Sequence, residues 1–258
     1  MWPPVLIVSG TGTDVGKTVV TAALAAVAAG RGRRVAVVKP VQTGEPPGRT
    51  GDLATVRRLS GVTRTCELAR FPDPLSPEAA ARAAGRPPLD LAAAAIAVKQ
   101  LDADLILVEG AGGLLVRYDA AGTTIADLAT MLAAPVLVVT TPGLGTLNHT
   151  ALTLEALGHR ALVPAGLIIG AWPADPGLAE RTNLTDLAVL AELAGCSLSG
   201  ALPAGAARLG RDDFLAAARA GLSPALGGNF APAPGGSFSP GIGGSTAPAP
   251  GGSLGQRT

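Results

Sequence analysis

Residues 10–18 read Gly10-Thr11-Gly12-Thr13-Asp14-Val15-Gly16-Lys17-Thr18. Ahead of them lies Val5-Leu6-Ile7-Val8, a short apolar run. Behind them lies Val19-Val20-Thr21-Ala22-Ala23-Leu24-Ala25-Ala26-Val27, an alanine-rich helix former. Strand, glycine-rich turn and helix, in that order, form the setting of a phosphate-binding P-loop. The glycines let backbone amides curl around phosphate oxygens, and the helix start adds partial positive charge. Lys17 is expected to reach the β- and γ-phosphates, and the Thr18 hydroxyl to ligate Mg²⁺. Counted back from Gly16, the first glycine of the strict pattern falls on Thr11. Gly10 lies one residue further, so the loop is one residue longer. Gly-Lys-Thr alone is common, and an ordinary glycine turn between strand and helix is the alternative reading.

Outward from this stretch, apolar runs recur at Val35–Val38, Leu105–Val108, Val136–Val139 and Leu167–Ile169, with a weaker one near Leu198–Leu202. Most lack alternation, as parallel strands buried on both faces do. Helical patterns separate them, at about 16–30, 52–60, 77–85, 89–101, 124–133, 145–157, 177–195 and 211–220. The alternation predicts an α/β fold: a doubly wound, mostly parallel sheet with helices on both faces. Ligands on such sheets bind at the carboxyl ends of strands, where Lys39, Glu109, Thr140 and Thr141 fall.

Three further stretches carry polar residues at those ends. In Lys39-Pro40-Val41-Gln42-Thr43-Gly44, Pro40 is expected to end the strand, and Lys39 is either solvated or functional. The polar loop that follows leads to Gly51-Asp52-Leu53, where Asp52 reads as a helix N-cap or as a Mg²⁺ ligand. Val108-Glu109-Gly110-Ala111-Gly112-Gly113 repeats the strand-then-glycine pattern, with Glu109 where a second carboxylate approaches a metal. Gly145-Thr146-Leu147-Asn148-His149 opens a helix whose free amides suit an anion. Thr146 or Asn148 is alternatively a plain cap, and His149 reads as structural.

Composition bounds the function. Net charge is +1, charged residues make up 15% and aromatics 3%, so neither a basic surface nor stacking platforms for nucleic acid are expected. Cys66 and Cys196 stand alone in sequence and read as buried thiols. The longest apolar stretch, Val19 to Ala29 with one Thr, is too short to span a bilayer, and the N-terminus carries no cleavable apolar leader. A cytoplasmic protein is expected. Residues 1–221 are assigned to one domain. From 222 the composition shifts, and Ala231-Pro232-Ala233-Pro234-Gly235-Gly236-Ser237 recurs as Ala247-Pro248-Ala249-Pro250-Gly251-Gly252-Ser253. Residues 222–258 therefore read as a disordered tail.

Taken together, these motifs resemble those of the dethiobiotin synthetases. The family's long Gly-Thr-x-Thr-x-Val-Gly-Lys-Thr loop is matched by Gly10 to Thr18. Its Lys-Pro-Val…Gly segment is matched at Lys39, Pro40, Val41 and Gly44. Its Val-Glu-Gly-Ala-Gly-Gly segment is matched by Val108 to Gly113, and its Leu-Gly-x-x-Asn-His segment by Leu144, Gly145, Asn148 and His149. The match covers about residues 5–220.

The resemblance implies an ATP- and Mg²⁺-dependent ligase of biotin biosynthesis that closes a urea ring on 7,8-diaminononanoate with CO₂. One amine captures CO₂ as a carbamate. The carbamate attacks the γ-phosphate, and the second amine closes the ring and expels phosphate. It further implies that Lys17 and Lys39 are the catalytic charge donors, and that Thr43 and the helix start at Gly145, Thr146, Leu147 and Asn148 hold the substrate. Thr18, Asp52 and Glu109 would surround Mg²⁺. Thr13, Asp14, Val15, Gly16, Lys17, Thr18, Val19, Asp52, Glu109, Gly110, Ala111, Gly112, Gly170, Ala171, Pro203, Ala204 and Gly205 would line the nucleotide. The family is homodimeric, with the substrate carboxylate received across the interface.

The chain departs from the family at Gly12, where Asp is frequent, and mildly at Asp14, where Glu is. Gly170 stands where many members carry an adenine-reading Asn, so relaxed base choice is expected, with Trp172 as a stacking surface that tolerates any base. Three other readings remain at this stage. A P-loop switch of the septum-positioning type would carry a signature lysine at position 12. A cobyrinate-type amide ligase would carry a glutaminase domain. A plain nucleotide-binding module would not need Lys39.

Overall fold

The apolar runs become strands β1 (Val5–Gly10), β2 (Val35–Gln42), β4 (Leu105–Glu109), β5 (Val136–Thr140), β6 (Pro164–Trp172) and β7 (Leu198–Pro203), joined by β3 (Thr65–Arg70). The computed structural model describes residues 2–231. Its seven strands form one sheet in the order β3-β2-β4-β1-β5-β6-β7, and every pairing between them is parallel. All five residues of β4 and of β5 are buried, which is why these runs show no alternation.

Eight helices flank the sheet: α1 (Lys17–Ala29), α2 (Asp52–Ser60), α3 (Pro77–Ala83), α4 (Leu91–Lys99), α5 (Ile125–Leu132), α6 (Thr146–Gly158), α7 (Leu178–Leu193) and α8 (Arg211–Gly221). On one face Leu6, Val8 and Val139 pack with Val20 and Leu24 of α1, Val56 of α2 and Phe214 of α8. On the other, Ile7, Val136 and Val138 pack with Val98 of α4, Leu128 of α5, Leu157 of α6 and Leu187 of α7. The helix starts and strand ends that carry the sequence motifs thus share one edge of the sheet.

Four expectations need correction. β3 is an additional strand that no apolar run announces. Cys66 and Leu68 lie against the core, while Glu67 and Arg70, three residues apart, pair with each other and guard this edge strand with charge. Pro40 does not end β2, which continues to Gln42. Pairing with β4 stops at Val38, so from there β2 has only β3 as a neighbour and tolerates a residue without an N–H.

The packed region does not stop at 221 either. Leu222 and Phe230 are buried, Phe230 N–H donates to Leu222 O, and Arg31 donates to Gly227 O. Two apolar side chains within a Gly/Pro/Ser-rich segment suffice to anchor it. The part of the expected tail from 232 onward lies outside the described residues. Finally, Cys66 and Cys196 are free but only half-buried.

Candidate active site

The loop between β1 and α1 takes its shape from a few positions. Gly16 sits at φ 97°, in the left-handed region, and caps α1. Asp14 adopts φ 58° without being glycine. Gly10 has room for no side chain, because a Cβ there would lie 2.6 Å from the Val15 methyl that plugs the loop from beneath. Lys17 is buried, and its Nζ donates to Gly12 O at 2.7 Å. Thr13 and Asp14 are exposed at the rim, and Val19 is half-buried.

Behind the loop, Lys39 lies within β2 rather than past it and is only 3% exposed. Its Nζ donates to Glu109 Oε1 at 2.8 Å and to Gly110 O at 3.1 Å, and it meets Asp52 Oδ2 at 2.5 Å. The solvated reading of Lys39 therefore fails. Thr18 Oγ1 donates to the same Glu109 oxygen at 2.8 Å. Asp52 is the first residue of α2, not its cap: the cap is Gly51, which has no side chain. Two strands, a helix start and the P-loop helix thereby bring Thr18, Lys39, Asp52 and Glu109 together, as the motifs implied.

The charges are mutually dependent. Burial pushes the Glu109 carboxyl above its ordinary value, and the Lys39 charge offsets only part of that. Asp52 feels burial too, but the Lys39 ammonium prevails and holds its carboxyl below the usual range. Burial alone would depress Lys39. Glu109 and Asp52 instead raise it, so it stays cationic. Burial and then the Lys39 charge lower Lys17 to about 8, outweighing the weaker attraction of Glu109, Asp52 and Asp14.

The second glycine turn lies against the first. A Cβ on Gly113 would approach Gly10 O at 3.5 Å and Gly12 N at 3.7 Å, and Gly112 needs φ 68°. Gly110 and Ala111 follow directly from Glu109. On the opposite side, β6 and β7 bring Gly170, Ala171, Pro203, Ala204 and Gly205 together: Trp172 pairs with Pro203, and Ala204 N–H donates to Trp172 O.

Two expectations about the base fail here. Gly170 is not an empty place awaiting a side chain. A Cβ there would lie 2.0 Å from Val15 O and 3.0 Å from Gly16 Cα, so this glycine lets β6 support the P-loop. Trp172 is 1% exposed within the core and offers no stacking surface.

At the start of α6 the cap is Gly145 at φ 90°. Neither Thr146 nor Asn148 caps. The Thr146 hydroxyl is buried, donates to Thr141 O and meets the Thr140 hydroxyl, so only its backbone remains for a ligand. Leu147 is half-buried and Asn148 exposed. Thr43 follows β2 and is half-buried. A cleft of about 420 Å³ lies between the P-loop and α6, lined by Thr11 and Thr13 of the loop, Leu115 and Val116, and His149 and Leu152 of α6. The sequence reading missed this lining, because scattered apolar residues on a loop and a helix look like ordinary surface until the fold aligns them.

Loop amides and an ammonium beside converging carboxylate and hydroxyl oxygens, at the strand ends of a parallel sheet, define the class: a P-loop α/β protein built to use a nucleoside triphosphate. The family model described as "AAA domain" matches residues 5–206. The ATP-dependent dethiobiotin synthetase of Parafrankia sp. is 62% identical over 228 residues, 88% of this chain and 94% of that one. That of Streptomyces coelicolor is 54% identical over 229 residues, 88% and 95% of the two chains. The chain belongs to the dethiobiotin synthetase family. The cell division ATPase MinD of Pyrococcus furiosus overlays with a TM-score of 0.49 at 19% identity, over 84% of this chain and 90% of that one.

Proposed function

We infer that this chain closes the urea ring of dethiobiotin from 7,8-diaminononanoate, CO₂ and ATP, releasing ADP and phosphate. The observation that carries the reading is the buried Lys39 ammonium, held between Asp52 and Glu109 directly behind the P-loop. The chemistry requires no protein nucleophile. One substrate amine takes up CO₂ as a carbamate, whose oxygen attacks the γ-phosphorus as ADP leaves. The second amine attacks the resulting anhydride carbon and expels phosphate. What the protein supplies is position and charge. Lys17 faces the transferring phosphoryl group, and Lys39 is placed to hold the carbamate and the charge that develops on it. Thr43 and the amides of the first turn of α6 bind the polar ends of the diamine acid, with the apolar cleft at Leu115, Val116 and Leu152 against its methylenes.

Mg²⁺ fits the residues present. Glu109 Oε2 is buried without a hydrogen-bond partner, the Thr18 hydroxyl donates to Oε1 of the same carboxylate, and Asp52 lies beside both residues. An oxygen-only set with one or two carboxylates is what Mg²⁺ takes when phosphates and waters complete its shell. When bound, it neutralises charge on the β- and γ-phosphates. We also read the protein as a cytoplasmic homodimer. Leu144, Leu152 and Leu115, exposed beside the cleft, support a second copy covering that face, which sedimentation would test. No helix among the described residues is long and apolar enough to cross a membrane. The deciding experiment is incubation with diaminononanoate, bicarbonate, Mg²⁺ and ATP. The cyclic urea should appear by mass only in the full mixture, and its absence would overturn the assignment.

A further inference from the structure

We propose that Gln42 is a positioning residue for the cation site. Its side-chain amide caps α2 from a different element and so fixes where Asp52 presents its carboxylate. An α-helix leaves its first N–H groups without partners, and a Ser, Thr, Asp or Asn at the cap usually accepts from them. The cap of α2 is Gly51, which cannot. Gln42 Oε1, arriving from the end of β2, accepts from Asp52 N–H at 2.9 Å, while Gln42 Nε2 donates to Thr43 O at 3.1 Å. The second bond settles which end of the amide is the oxygen. Gln42 is 6% exposed, so its amide is held out of bulk water, while its partners Thr43 and Asp52 are half-buried.

Gly51 makes the approach possible. A Cβ there would lie 2.5 Å from Gln42 Oε1. Its φ of −110° suits any residue, so space rather than backbone conformation requires glycine. The cap thus gives up a side chain of its own to admit the one from β2. Lys39 and Gln42 share that strand, so one strand end sets both the ammonium and the backbone of the carboxylate that meets it at 2.5 Å. The inference rests on the reading of Asp52 as a cation ligand.

The test uses the full chain, Mn²⁺ as probe and a non-hydrolysable ATP analogue. Gln42→Met keeps length and burial but removes the acceptor. It should weaken Mn²⁺ binding, read from the electron paramagnetic resonance of free Mn²⁺, by about 10- to 100-fold. Affinity for the metal-free nucleotide should stay within about twofold, and hydrogen exchange at the Asp52 amide should quicken. Gly51→Ala, which displaces the amide without deleting it, should do the same. The double variant should be no worse than the poorer single, because both remove one contact. Wild-type Mn²⁺ affinity in Gln42→Met, or additive losses in the double variant, would overturn the proposal. Asp52→Asn separates the two layers. Unchanged Mn²⁺ affinity there overturns Asp52 as a ligand and with it the role given to Gln42. A loss there but not in Gln42→Met overturns Gln42 alone.

Discussion

Lys39 and Glu109 stand 70 residues apart in sequence and 2.8 Å apart in space, on adjacent strands and almost wholly out of water. Neither charge is stable there without the other, since burial penalises both and attraction between them offsets it. The pair is therefore a structural commitment, in addition to the catalytic role proposed for Lys39.

Removing the lysine should consequently do two things. Lys39→Met should lower kcat by about 10²- to 10³-fold, the effect of losing one preorganised charge donor. Unlike loss of a solvated lysine, it should also cost stability, about 3–5 kcal/mol if the buried carboxylate stays charged and less once Glu109 takes up a proton. Adding Glu109→Gln should recover much of the melting temperature but none of the activity. Turnover within a few-fold of wild type in Lys39→Met would refute its placement at the reacting atoms.

Lys17 predicts a pH dependence. Its folded value of about 8 lies below the ordinary lysine value of 10.5, because burial and then the Lys39 charge disfavour the cation. Between those pH values the unfolded chain holds more of this proton than the folded one, so this group alone makes stability rise with pH there. Binding should move the opposite way. Phosphate requires the cation, so metal-free nucleotide affinity should fall as pH climbs past about 8. Titration calorimetry from pH 7 to 9.5 checks this, and in Lys17→Met the dependence should flatten.

The nucleotide base should be read weakly. Gly170, Ala171, Pro203, Ala204 and Gly205 carry no side-chain hydrogen-bonding group, and a two-point amide pair is worth about 1–3 kcal/mol of discrimination. CTP or GTP should therefore support the reaction within about tenfold of ATP, an amount within that range. Measuring kcat/KM for the four triphosphates decides it, and a preference for ATP above about 100-fold would exceed what backbone groups alone are expected to give. Gly170→Asn should not restore selectivity. Its Cβ would strike Val15 O, so that variant should lose affinity for every triphosphate.

Phe230 should matter although it lies in a segment of low-complexity sequence. It is 3% exposed and packed into the core on the α4–α7 face. Phe230→Ala should cost about 3–5 kcal/mol. Deleting residues 225–258 should destabilise likewise, against the sequence-based expectation that this cut is harmless. A melting temperature unchanged by either would show that the segment contributes nothing.

The parallel sheet, the P-loop and the family were legible in the residues alone. Those signals are local: unbroken apolar runs, a glycine turn between strand and helix, and motifs in a fixed order. The sequence also named Lys39, Asp52, Glu109 and Thr18, because each sits in a motif. What those residues do to one another emerged from the fold. Whether Lys39 is solvated or buried depends on strands 70 residues apart meeting in register. Whether Asp52 caps its own helix or leaves that to Gln42 depends on how closely β2 approaches Gly51. Whether Gly170 is a gap or a contact depends on how near β6 comes to the P-loop. Charges and close contacts act over a few ångströms between segments distant in sequence, and a linear pattern does not encode that distance.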